Sequence, residues 1–138
     1  MGKTIEKVIV KNYGDILKST EDLIEDKEIR IKELKAIVDT GAAYLSLPPK
    51  VISELGLLYS HTRNVTTANG LVDRRIFGGA TIKIQDREIQ MEVMENDQTT
   101  PALIGYLVLE SMDFVVVPKY QKIIPNPEHD GKWVMDLY

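Results

Sequence analysis

Val38-Asp39-Thr40-Gly41-Ala42 is the stretch whose reading decides the fold. The apolar positions Leu34, Ala36 and Val38 alternate with other residues, the period of a strand with one buried face. Gly41 then breaks the strand. The pattern predicts a carboxylate on a tight turn at a strand's end, beside a hydroxyl and a small residue. Hydrolysis of an amide by water needs a carboxyl group held rigidly near backbone N–H donors.

Outward from that turn the chain reads as short strands. Thr4 to Lys11, with Ile5, Val8, Ile9 and Val10, predicts a first strand, and Asn12-Tyr13-Gly14-Asp15 a turn. Residues 15–27 are mixed and charged and read as a loop or one poor helical turn. Ile29 and Ile31 lie out of phase with Leu34, Ala36 and Val38, which predicts a bulge or bend near Lys32-Glu33. Pro48-Pro49, then Val51, Ile52, Leu55 and Gly56, spell a short helix with a proline start and a glycine stop. Asn69-Gly70 is a hairpin-turn signal inside Val65–Ile76. Ile82 and Ile84, then Gln85-Asp86-Arg87, then Ile89, Met91 and Val93 predict a second hairpin. Asn96 to Pro101 is polar. Ala102-Leu103-Ile104-Gly105 follows, then Leu107 and Leu109 in a short helix, and Phe114–Val117 as a closing strand. Lys122-Ile123-Ile124 reads as a strand, Pro125 to Gly131 as a loop and Trp133 to Tyr138 as a last strand. Short strands with little helix predict an all-β fold, a closed or nearly closed barrel.

Bulk composition narrows the function classes. The 138 residues fit one domain, 1–138, and at 43% hydrophobic they supply one core. A net charge of −4 and the lack of a basic stretch argue against a nucleic-acid partner. Cysteine is absent, so there is no disulfide framework and no thiolate nucleophile, which suits a reducing cytoplasm. No apolar run approaches the roughly 20 residues of a membrane span, and the first residues lack a signal-peptide pattern. His61 and His129 have no ligand-spaced neighbours, so no metal is expected. Ser46, Ser53, Ser60 and Ser111 sit in no nucleophile motif. Met91, Met94 and Met112 read as core; Glu88, Glu92 and Glu95 read as solvated. Trp133 reads as packed, in the core or at an interface.

Asp39-Thr40-Gly41-Ala42 after an apolar strand, with Ala102-Leu103-Ile104-Gly105 downstream, resembles the single-domain retropepsin-like aspartic proteases. The resemblance covers about residues 29–118. It implies a closed acid-protease-type β barrel with one or two short helices, and an aspartic endopeptidase acting on extended polypeptide without a cofactor. Such chemistry uses two carboxylates sharing one proton, and this chain carries one Asp-Thr-Gly. The resemblance therefore implies a symmetric homodimer, with Asp39 of each subunit catalytic at the two-fold axis. Thr40, Gly41 and Ala42 would support the active-site loop. Ala42 stands where pepsin-like enzymes carry a hydroxyl, which implies a less acidic pH optimum. Ala43 departs from the polar residue often found next. Ile104 and Gly105 would pack behind the loop and support the pocket. Asn69 and Gly70 would form the tip of a substrate-binding flap, with Phe77-Gly78-Gly79 as the rival tip. Ile5 to Val10 and Trp133 to Tyr138 are interface candidates by analogy with the terminal strands that seal retropepsin dimers. The alternative reading is a dimerisation or peptide-binding module of the same fold with weak or lost cleavage.

Overall fold

A computed structural model describes residues 2–137. The fold is mostly β. In chain order come β1 (Ile5–Asn12), α1 (Tyr13–Thr20), β2 (Ile31–Val38), β3 (Leu45–Leu47), α2 (Pro49–Leu55), β4 (Leu58–Thr67) and β5 (Gly70–Gly78). There follow β6 (Ala80–Ile84), β7 (Arg87–Gln90), β8 (Val93–Glu95), β9 (Leu103–Ile104), α3 (Tyr106–Met112), β10 (Phe114–Val117) and β11 (Lys122–Pro125). Nine strands form one curled sheet in the order β4-β5-β8-β3-β9-β2-β1-β6-β7, and β10 pairs only with β11. The described sheet is open, with β4 and β7 as its edges, where a closed or nearly closed barrel is expected. Phe114–Val117 likewise does not close the large sheet. No helix among the described residues is long and apolar enough to cross a membrane.

Local chemistry explains the elements. Asn12 caps α1: its side-chain oxygen accepts the Asp15 N–H at 2.9 Å, and its amide donates to Leu55 O at 2.8 Å. One side chain thus satisfies an orphan donor at the start of α1 and an orphan acceptor at the end of α2. The sequence Asn12-Tyr13-Gly14-Asp15 is therefore a helix start rather than the expected turn. Asp15 is buried and takes the Arg30 guanidinium through both oxygens, with Arg30 N–H as a third donor. This arrangement holds the Asp15 carboxyl down to about 2, chiefly through the Arg30 side chain and against the effect of burial. The proline start and left-handed glycine stop of α2 match expectation, with Gly56 at φ 65°.

β1 and β2 pair from Lys11↔Ile31 to Ile5↔Ile37 without a slip, so the bulge expected near Lys32-Glu33 is absent. Ile31 is simply an exposed apolar residue of the outer face. The register shift falls instead in β4, between Tyr59 and His61. Ile89, Met91 and Val93 do not share a strand: β7 ends at Gln90, and Val93 opens β8, parallel to β3 and antiparallel to β5. The core gathers Val8, Val10, Leu45, Leu47, Leu55, Ile82, Ile84, Val93, Ile104 and Met112, all fully buried. Residues 132–137 carry no regular structure, so the expected last strand is absent up to Leu137; Tyr138 lies outside the described residues.

That irregular tail is nevertheless anchored. Arg87 is buried and donates to Met112 O (2.6 Å), Asp113 O (3.1 Å) and Gly131 O (3.3 Å). Its guanidinium lies 5.2 Å from the Phe114 ring centre and 5.6 Å from that of Trp133. Trp133 also donates its indole N–H to Ser111 O at 2.9 Å. Asp113 accepts the Val134 N–H and pairs with His129. Burial raises the Asp113 carboxyl, but His129, Val134 and Asn126 together hold it below its ordinary value.

Candidate active site

Asp39 stands one residue past the end of β2, where β2 runs parallel to β9 with Ile37↔Leu103 and Val38↔Ile104. The Asp39 N–H continues that ladder by donating to Ile104 O at 2.9 Å. The chain then turns: the Ala42 N–H donates back to Asp39 O at 3.0 Å, and the Gly41 N–H donates to Asp39 Oδ1 at 3.0 Å. The carboxylate is therefore exposed yet oriented by its own turn. A Cβ on Gly41 would lie 3.2 Å from Oδ1, closer than ordinary contact, so glycine leaves the carboxylate room. Thr40 is exposed beside it, and Ala42 is half-buried.

The turn rests on α3. The Ala42 carbonyl accepts the Tyr106 N–H at 2.8 Å, and the Ala43 carbonyl accepts the Leu107 N–H at 3.0 Å. The first turn of α3 thus finds acceptors in the loop that carries Asp39. Gly105 makes the approach possible. A Cβ there would lie 2.5 Å from Tyr44 O and closer still to the Ala43 carbonyl. Ile104 is fully buried, and its neighbour Leu103 is the β9 residue that reaches the open side.

A cleft of about 620 Å³ opens in front of Asp39. Gly41, Ala42, Ala43 and Tyr44 line one wall, and Arg63, Val65, Thr67 and Arg74 of the β4–β5 hairpin line the other. All five residues from Arg63 to Thr67 border the cleft, and Arg74 faces Arg63 in the hairpin register. Asn69 and Gly70 are not part of the lining; they lie beyond it at the hairpin's end. The turn residues are Ala68-Asn69, one position earlier than Asn69-Gly70, and Gly70 opens β5 at φ 107°. The Thr67 hydroxyl ties the turn by donating to Gly70 O at 2.8 Å. Phe77-Gly78-Gly79 is no tip: Phe77 is buried and paired with Val93.

Several lining residues carry no signal in the motif reading. Tyr44, Arg63, Arg74, Asn96 and Tyr106 join the cleft through tertiary placement, and Met94 is half-buried there rather than in the core. Glu95, expected as solvated, pairs bidentately with Arg75 at 2.7 and 2.8 Å. In the loop beside the cleft, Asp97 Oδ1 accepts both hydroxyls and both N–H groups of Thr99 and Thr100. The Thr100 hydroxyl, with that of Thr99 next, holds the Asp97 carboxyl down to about 2, so it stays ionised.

No curated protein matches the chain. Residues 26–111, more than half of it, match the family model described as gag-polyprotein putative aspartyl protease. The match begins just ahead of β2 and ends within α3, and it spans the Asp39 turn, the hairpin and the Ile104-Gly105 step. The chain belongs to the gag-polyprotein putative aspartyl protease family, the retropepsin-like aspartyl proteases.

Proposed function

We propose that the protein is an aspartic endopeptidase that works as a homodimer and cleaves extended polypeptide. The supporting observation is an exposed carboxylate, Asp39, fixed by the Gly41 N–H at the floor of a cleft walled by a hairpin. In this reading the Asp39 carboxylates of two copies meet and share one proton, because like charges so close do not both ionise. The ionised carboxylate takes a proton from water as its oxygen attacks the peptide carbonyl. The protonated carboxyl hydrogen-bonds the carbonyl oxygen and stabilises the charge that develops there. Thr40 would join the two loops across the axis, and Gly105 with buried Ile104 would hold each loop from behind. The hairpin ending at Asn69 and Gly70 would close over the substrate and pair with its backbone.

The test is cleavage of a diverse peptide library between about pH 3 and pH 8, with Asp39→Asn alongside. Cleavage is expected to vanish in the variant and to fall off on dilution as the dimer dissociates. Full specific activity in a proven monomer would refute the dimer mechanism. A dimer that cleaves nothing at any pH would instead be the peptide-binding module.

A further inference from the structure

The charges of the cleft run against those of the chain. Acidic residues outnumber basic ones, 21 to 17, yet the charged lining groups other than Asp39 are both arginines, Arg63 and Arg74. They are directly opposite one another in the β4–β5 register. Two like charges facing across a hairpin destabilise it. Arg75, one residue on, shows the usual solution: a bidentate carboxylate from Glu95. Arg63 has no carboxylate within 4.0 Å among the described residues; its Nε donates to His61 Nε2 at 2.8 Å, and it lies 5.8 Å from the Tyr44 ring centre. Arg74 donates to the Asp73 carbonyl at 3.2 Å and meets Asp97 only at 4.0 Å. Ser46 also contributes to the lining, and its hydroxyl is buried without a hydrogen-bond partner among the described residues. The cleft therefore holds two under-neutralised guanidinium groups, with an unpartnered hydroxyl buried behind its lining.

We propose that this cleft selects polypeptide carrying an anionic side chain, which the Arg63–Arg74 pair grips beside Asp39. The inference rests on the protease reading and names its substrate class. Guanidinium groups bind carboxylate and phosphoryl groups through paired, charge-assisted hydrogen bonds. A peptide extended along the hairpin presents side chains alternately, so one anionic residue reaches the pair while its neighbours face away. Val65, Met94 and Leu103 lie in the same lining and accept the apolar part of the ligand.

Binding separates this inference from catalysis. Asp39→Asn protein is titrated against fluorescein-labelled peptides, each made with Glu, Gln, phosphoserine or Ser at one position. The anionic peptides are expected to bind about tenfold tighter than their neutral partners, with an advantage that shrinks as salt rises. Whether Glu or phosphoserine gains more identifies which anion the pair reads. Arg63→Gln with Arg74→Gln should erase the preference without lowering the melting temperature, since it removes the facing like charges, and Arg63→Lys with Arg74→Lys should keep part of the preference. Equal affinity for charged and neutral peptides, no binding of any of them, or a preference that survives the glutamine pair would overturn the proposal. The native enzyme is assayed on the same peptides. Cleavage indifferent to charge sinks the anionic preference and spares the protease; charge-selective binding without cleavage does the reverse.

Discussion

Gly105→Ala is the sharpest perturbation the fold offers, because two effects of opposite sign compete at that position. Gly105 has φ −90° and ψ 175°, an extended conformation that alanine adopts freely. On backbone entropy alone the change would stabilise by about 0.4–1 kcal/mol. The new methyl group, however, would overlap the Ala43 carbonyl and sit 2.5 Å from Tyr44 O. The Ala43 carbonyl is not free to retreat, since it holds the Leu107 N–H, and moving it would also disturb the adjoining Ala42 O that holds the Tyr106 N–H. Overpacking costs about 1–3 kcal/mol, and giving up the two hydrogen bonds adds about 1 kcal/mol each. The net expectation is about 3 kcal/mol of destabilisation, which for a chain of this size lowers Tm by roughly 10 °C. Urea titration and thermal melting at one fixed protein concentration measure it. Gly78→Ala is the control: nothing lies within 4 Å of the place its methyl group would take and its φ is not left-handed, so it should melt at or slightly above the native temperature. A Gly105→Ala protein as stable as the Gly78→Ala control would refute the view that α3 is clamped against the Asp39 loop.

Three further outcomes are expected. Asp39→Asn should unfold within about 0.5 kcal/mol of the native protein, because the replaced group is exposed and keeps an oxygen for the Gly41 N–H; a large loss in urea titration would show a structural role instead. Asp15, held down to about 2 by Arg30, contributes stability that is fully present above about pH 4. That contribution is lost as the pH falls from about 4 towards 2. It amounts to about 1–2 kcal/mol once the half-exposed arginine is allowed for, and Asp15→Asn should flatten that part of the pH–stability curve. Arg87→Met should orphan the carbonyl of Met112, while Asp113 O keeps the Asn126 N–H, destabilise by about 1–3 kcal/mol and shift the emission of Trp133 to the red. Unchanged emission would mean that the tail docks without the arginine.

The elements nearest the motif were the most legible in the sequence. Alternation at Leu34, Ala36 and Val38 marked β2, and the proline and glycine bracketing Val51–Leu55 marked α2, because these signals are local. Asn12 misled for a local reason too: asparagine favours turns and helix caps alike, and only its contact with Leu55 O decides for the helix. Ile31 suggested a bulge because an exposed isoleucine on an outer face looks the same in sequence as a shift of phase. Ile89 and Val93 could not be divided between strands, since the partners of β8 lie in β3 and β5, far away along the chain. At the site, Asp39, Gly41 and Gly105 announced themselves as a spaced motif. Arg63 and Arg74 did not, because a charged residue on an edge hairpin reads as an ordinary solvated face until the fold turns that face towards Asp39.

Helix α3 has only seven residues, too few for stability of its own. Both its ends are moored elsewhere: its first N–H groups to the Asp39 loop, its last carbonyls to Arg87 through Met112 O and directly to the Trp133 indole through Ser111 O. It acts as a strut held between two moorings. A rigid strut passes a shift at one mooring to the other, so stiffening the loop is expected to steady the far end, and the reverse. The chain's single tryptophan is thus wired as a gauge of its own cleft, and its fluorescence should register an occupant that never touches it.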